Sequence, residues 1–316
     1  MTSLDTIELT THTDFIQRLD KGSFSVSQTI TPKGQKIITQ SLKNKRTGVN
    51  KITISHNQET ITINASSKIL GSNYPKGINI NTLNQFIDEV NNSGLILKVN
   101  FLDYAQLKNI HIKNDIVPEK EVSEYINTLN HLIAPKFTKT KYDYSIVFKE
   151  KIKTNNIYLT GYGKGYEIAL NKPFYNEFPE LIPQFDNILR IETKLPKKAT
   201  ILKYFNSDKL RDIISSTNFN HAILNKIIGN QTSFTPLINT YKMTNTQEKN
   251  FAQIYYLNKY YKGDFESIMN HIKSKLGKNT KSTYQRNKVK KYLSMINNNT
   301  DSFFENLEEI KRKLVE

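Results

Sequence analysis

The sequence predicts an α+β fold: an antiparallel-rich sheet with packed helices, followed by an all-helical C-terminal region. Three observations carry that expectation. Several segments in the first two-thirds alternate apolar and polar residues, the period of a half-buried strand. Others space apolar residues three and four apart, as amphipathic helices do, and the two kinds do not follow strict βαβ order. Beyond about residue 206 the alternating segments stop and only helical spacing remains.

In chain order, KITISHNQETITINA alternates on both sides of SHNQE. Ile52 and Ile54 are answered by Ile61 and Ile63, which predicts a β-hairpin. NTLNQFIDEVNNSG carries Leu83, Ile87 and Val90 at helical spacing, with Gly94 just beyond. NIHIKNDI, residues 109–116, predicts a strand with His111, Lys113 and Asp115 on one face and Ile110 and Ile112 on the other. EKEVSEYINTLNHLI predicts an amphipathic helix through Val122, Tyr125, Ile126, Leu129 and Leu132. SIVFKEK and NNIYLTGYGKGYEIAL read as two further strands. In ILRIETKL, residues 188–195, Leu189, Ile191 and Leu195 oppose Arg190, Glu192 and Lys194 across a strand. DKLRDIISS, FNHAILNKIIG, TQEKNFAQIYYLNKYY, DFESIMNHIKSKLG and KSTYQRNKVKKYLSMI then read as helices. The division expected is an α+β domain over residues 1–205 and a helical DNA-binding or accessory domain over 206–316.

The 316 residues are 37% hydrophobic, enough for a packed core and too many for wholesale disorder. The formal net charge is +16, from 45 Lys and Arg against 29 Asp and Glu, which favours a polyanionic partner. There is no cysteine, so disulfides and thiolate metal sites are excluded. MTSLDTIELTTHTDF has acids and no apolar core, and no apolar run reaches membrane-spanning length. A soluble, cytoplasmic protein without a membrane partner is expected. From Lys273 to Lys291 there are eight basic residues and no acid. Gly277 ends one helix there, and GKNTK turns into the next, so the pair resembles a helix-turn-helix. Lys275, Lys278, Lys281, Arg286, Lys288, Lys290 and Lys291 are its candidate DNA contacts.

No Gly-rich phosphate loop, metal-spaced histidine pair or Gly-x-Ser-x-Gly elbow is present. The remaining chemistry lies on polar strand faces. His111 and Asp115 share one, Glu192 sits between Arg190 and Lys194 on another, and Glu167 follows Tyr162 and Lys164 in YGKGYE. Carboxylates with an imidazole can hold one Mg²⁺ or Mn²⁺, which polarises a phosphoryl oxygen, while Lys164 and Arg190 steady the phosphate. Cross-strand ion pairs without catalysis would produce the same pattern.

Four segments, in order, extend this reading. NASSKILGSN resembles the A-S-x-x-K-[IV]-L…N segment of the phage and plasmid replication proteins of the II/X family, the rolling-circle initiators of filamentous phages and their relatives. AQLKNIHIKNDI is similar to that family's D-[VIL]-T-x-D-I strand, with His111 at the first acid and Asp115 at the second. YGKGYEI resembles Y-[DN]-K-x-x-E-[LI] through Tyr162, Lys164 and Glu167, with Gly163 replacing Asp or Asn. LRIETKL resembles [LV]-R-[IF]-E-x-[RK]-[IL] through Arg190, Glu192 and Lys194. The paired His-hydrophobic-His ligands of the broader HUH nucleases are missing.

The resemblance implies a Rep-nuclease-like fold over about residues 60–205 and a metal-dependent nicking and joining enzyme. A tyrosine attacks a phosphodiester at the origin, leaving a 5′-phosphotyrosine and a free 3′-OH, and the strand is later rejoined. The resemblance leaves the nucleophile open among Tyr162, Tyr144 and another tyrosine, and Lys164 and His111 are further catalytic candidates. Asp115, Glu192, His111 and Glu167 are the metal candidates, and Arg190 and Lys194 join the basic helices on DNA. Host helicase and polymerase are the implied partners. A non-catalytic origin-binding initiator and a mobilisation relaxase are the alternatives.

Overall fold

A computed structural model describes residues 2–30, 32, 34, 36–43, 47–132, 134–151, 157–216, 219–228, 244–262, 264–276 and 282–316. Its strands are β1 (Ser3–His12), β2 (Ile16–Leu19), β3 (Phe24–Ile30), β4 (Lys36–Leu42), β5 (Val49–Ser55), β6 (Thr60–Ser66), β7 (Leu95–Leu97), β8 (Gln106–Ile116), β9 (Phe137–Tyr142), β10 (Ser145–Glu150), β11 (Tyr158–Gly163) and β12 (Leu189–Leu195). Its α-helices are α1 (Leu83–Asn91), α2 (Phe101–Tyr104), α3 (Val122–His131), α4 (Lys164–Leu170), α5 (Lys172–Glu177), α6 (Lys198–Phe205), α7 (Leu210–Ser215), α8 (Phe219–Ile228), α9 (Asn245–Tyr260), α10 (Phe265–Leu276) and α11 (Ser282–Lys313).

Among the described residues, ten strands form one antiparallel sheet, ordered β3-β4-β5-β6-β1-β8-β12-β11-β10-β9. The α+β expectation is met, as are the hairpin of β5 and β6 and the strand faces of β8 and β12. Arg190 pairs with Asp115, Glu192 with Lys113 and Lys194 with His111, so the polar sides of β12 and β8 coincide. Tyr162 of β11 pairs with Arg190 and joins that side. On the opposite side, Ile110, Ile112, Ile191 and Leu195 are buried. There Asn220 of α8 donates to Asn114 Oδ1 at 2.7 Å and to the Ile191 carbonyl at 3.2 Å.

Two features depart from the sequence reading. YGKGYEIAL does not continue as a strand, because β11 ends at Gly163 and α4 begins at Lys164. The Lys164 N–H donates to the Ile188 carbonyl at 2.8 Å, and Glu167, Ala169 and Leu170 favour helix. Lys164 and Glu167 are therefore one helical turn apart. The N-terminal segment, read only for what it lacks, forms β1, paired between β6 and β8. Its register slips between Leu4 and Thr6, a β-bulge that interrupts the alternation and re-aims Asp5.

The chain forms two compact units. One comprises Met1–Asn130, Ala134–Gly229 and Ile310–Glu316, the other His131–Ile133 and Asn230–Glu309. The boundary expected near residue 206 thus falls inside the first unit. Ile213 and Ile214 of α7 and Ile223, Leu224 and Ile227 of α8 are buried, and α8 packs on β8 and β12. In the second unit, Phe251, Ile254, Leu257, Ile268, Met269, Ile272, Val289, Tyr292 and Ile296 form one core. Among the described residues no helix is long and apolar enough to cross a membrane.

Candidate active site

Arg190 organises the polar side of the sheet. It is fully buried, yet its guanidinium reaches two carboxylates. Nε and Nη2 donate to the two Asp115 oxygens at 2.5 and 2.7 Å, a planar fork on a planar acceptor. Nη1 donates to Asp5 Oδ1 at 2.9 Å and to the Tyr74 hydroxyl at 3.1 Å. Asp5 reaches this position from the β1 bulge, where it also accepts from Ser67 Oγ at 3.2 Å.

Lys113, beside Asp115 on β8, is also buried. Its ammonium donates to Asp115 Oδ2 at 3.1 Å and to the Pro75 carbonyl at 2.8 Å. The segment Ser67–Lys76 brings that carbonyl over the sheet, and Gly77 lets it descend. At Gly77 φ is +66°, and a Cβ there would lie 2.7 Å from Lys113 Cε. Lys164 Nζ donates to Glu167 and to the Tyr74 hydroxyl, and Lys68 Nζ meets Glu167 Oε1 at 3.1 Å. The Tyr74 ring lies under three cations, with Lys164, Lys113 and Arg190 at 4.8, 5.3 and 5.5 Å from its centroid. Phe174, Tyr175, Leu181, Phe185 and Ile188 complete this cover. Lys68, Lys113 and Arg190, with Lys164 beside them, thus face Asp5, Asp115, Glu167 and Glu192.

Burial tends to raise the Asp115 carboxyl, but the Lys113 and Arg190 charges outweigh it and hold it well below the usual carboxylate range. Burial, reinforced by Arg190, pushes the Lys164 ammonium down to about 6. A depressed carboxyl contributes stability that is present above its unfolded value and lost as pH falls through its folded value. The stability difference between wild type and Asp115→Asn should therefore be constant near neutrality. It should narrow below about pH 4, read from urea unfolding at stepped pH.

At the edge of this network a second cluster forms. The half-buried Tyr162 donates its hydroxyl to Glu192 Oε2 at 3.1 Å, and Glu192 Oε1 stands 3.0 Å from His111 Nδ1. The His111 and Glu192 side chains keep 17% and 16% of their surface exposed, so the cluster is open to a ligand where Arg190 is not. Burial raises the Tyr162 hydroxyl well above its ordinary value, and the Glu192 charge adds to the shift. The phenol is therefore protonated at rest, with a carboxylate in place to take its proton.

The structure brings His111, Asp115, Tyr162, Lys164, Glu167, Arg190 and Glu192 to one side of the sheet. It does not bring Tyr144 there. Tyr144 lies in the turn just before β10, where its carbonyl accepts from the Gly163 N–H at 3.2 Å, and its ring stacks on Tyr166 on the other side of the sheet. Lys194 is half-buried on β12. Arg190, expected on DNA, is enclosed by its carboxylates. Asp5 and Tyr74 are members that the sequence did not assign, while Lys113 was expected on this face beside His111 and Asp115. Asp5 was hidden by the bulge that breaks its periodicity. In the second unit Lys275, Lys290 and Lys291 are exposed and Lys288 is half-buried. Arg286 Nη2 is 2.5 Å from Glu266 Oε1, and its guanidinium lies over Phe265. Lys278, Lys281 and the turn at 277–281 lie outside the described residues.

The carboxylates do not fit the expected cation. Asp115 gives both oxygens to Arg190, one of them also to Lys113, and Glu167 is held by Lys164 and Lys68. Glu192 is shared between His111 and Tyr162. Among the described residues no group of three or more His, Asp or Glu side chains is placed to hold a metal ion. No family profile matches this chain, and neither does any curated protein.

Proposed function

We propose that this chain is a rolling-circle DNA replication initiator that nicks one strand at an origin through Tyr162 and later rejoins it. The observation that carries the reading is the Tyr162–Glu192–His111 relay, on the same sheet side where all four resembling segments meet. Segments 64–73, 105–116, 162–168 and 189–195 contribute Ser67 and Lys68, His111 and Asp115, Tyr162 with Lys164 and Glu167, and Arg190 with Glu192.

In the forward step the Tyr162 oxygen forms a bond to the phosphorus and the P–O3′ bond breaks. Glu192 takes the phenolic proton, and the departing O3′ takes one from water. His111 holds Glu192 in position through its Nδ1. The reverse transfer reseals the strand: the O3′ proton is lost to water and Tyr162 recovers its own. The phosphodiester energy is conserved in the tyrosyl ester, which accords with the absence of an ATP loop. The free 3′-OH serves a host polymerase, with a host helicase separating the strands in a bacterial cytoplasm. The net charge of +16 supports a DNA partner. No step is routed through a divalent cation, given the donor set above.

The test is incubation with labelled single-stranded DNA from the element's own origin, with Mn²⁺ and in parallel with chelator, then a denaturing gel and peptide mass spectrometry. A nucleotide-tagged peptide containing Tyr162 is expected. A tag on Tyr144 would move the nucleophile to the other side of the sheet. Salt-sensitive duplex binding without any adduct would favour the non-catalytic initiator. Glu192→Gln removes the proton acceptor at constant shape. Its adduct should form about 10²- to 10⁴-fold more slowly, with DNA affinity unchanged in the same preparation.

A further inference from the structure

We propose that the cleft at the end of β11 receives an unpaired nucleobase of the DNA strand. The inference rests on the nicking reading and names the part of the substrate that this cleft takes.

The cleft encloses about 380 Å³, a size that suits a small planar group. Tyr144 and Tyr166 stand in its lining with ring centroids 3.4 Å apart and planes 17° from parallel. Yet the two residues remain 51% and 50% exposed. A stacked pair that leaves this much ring to water presents a free π-face, and every nucleobase can stack on one. Ser123 and Asn127 add donors and acceptors to the walls, while the Asn187 amide is taken by the Val122 N–H and the Lys120 carbonyl. Glu121 and Asp143 oppose a phosphate, and the Lys141 ammonium already donates to Asn127 Oδ1 at 3.1 Å. The lining thus suits an uncharged ring with a mixed hydrogen-bonding edge better than an anion.

Gly163 makes the arrangement possible. A Cβ at this position would lie 2.9 Å from Tyr166 Cδ2 and 3.3 Å from Val122 Cγ1. This is the position where the resembling family carries Asp or Asn, so the departure creates the space that the Tyr166 ring fills. Gly163 directly follows Tyr162. Strand alternation turns the Tyr162 side chain to the Glu192 side, while Gly163 lines the cleft on the other. A DNA strand crossing this end of the sheet would meet both.

Binding measured by fluorescence anisotropy separates this idea from the nicking reading. The probes are an oligothymidylate of about 12 nucleotides and an abasic oligomer of equal length and charge. Wild type should prefer the oligothymidylate. The Tyr144→Ala/Tyr166→Ala double variant should lose about 5- to 100-fold on it and nothing on the abasic oligomer. Gly163→Ala, which displaces the exposed Tyr166 ring and presses on Val122, should lose part of the same preference, and Tyr166→Phe should keep it. Equal loss on both probes, or loss on neither, overturns the base site and leaves the nicking reading standing. Wild type that binds neither probe overturns both. Base-dependent binding without a covalent adduct keeps the cleft and removes the nuclease.

Discussion

Tyr162→Phe should leave a folded protein that forms no covalent adduct with origin DNA. The substitution deletes one oxygen. Phenylalanine keeps the ring on β11, and Glu192 loses one of two partners while keeping His111. The stability cost should be about 1 kcal/mol, the usual net value of one hydrogen bond. The chemical cost is total, since among the described residues no other tyrosyl hydroxyl donates to the Glu192 carboxylate. Tyr144→Phe is the control and should retain the adduct. An adduct that survives Tyr162→Phe at the wild-type yield would exclude Tyr162 as the nucleophile.

Arg190→Ala should have the largest effect on stability, about 3–5 kcal/mol by urea unfolding, the range found when one member of a buried ion pair is removed. The guanidinium is fully buried and is the shared partner of Asp5, Asp115 and Tyr74. Removing it leaves two mostly buried carboxylates facing each other's field, with the Lys113 ammonium hydrogen-bonded to Asp115 and acting on Asp5 through its charge alone. Arg190→Lys should recover only part of the loss, because an ammonium cannot span both acids as a planar fork does. Wild-type stability in Arg190→Ala would mean that the network does not hold the sheet together. The same geometry revises the expected behaviour of Asp115. Truncating it strips the fork from Arg190, so lost nicking in Asp115→Ala would report on folding as well as on chemistry.

Much of the fold was legible. Ile52, Ile54, Ile61 and Ile63 announce the hairpin, and Leu83, Ile87 and Val90 announce α1, because burial of one face imposes a period that neighbours along the chain display. The polar faces of β8 and β12 were legible for the same reason. The helix at Lys164 was not. YGKGYEIAL alternates well enough for a strand, and only the hydrogen bond from Lys164 to Ile188 ends the ladder after Gly163. The packing of α7 and α8 was not legible because they look like any amphipathic helices. Their burial beside the sheet depends on apolar positions of β8 and β12, far back in the sequence.

The sequence by itself determined the α+β class, the element types, the basic charge and which residues carry a chemistry-bearing side chain on each strand face. Only the tertiary structure decided which of those side chains meet. Asp5 and Arg190 are 185 residues apart and touch because β1 and β12 flank β8 in one register and a bulge turns Asp5 inward. Local periodicity records which side of a strand a residue faces. It does not record which strand lies next to it, and the partner decides whether a carboxylate is a metal ligand, a proton acceptor or the counter-ion of a buried arginine.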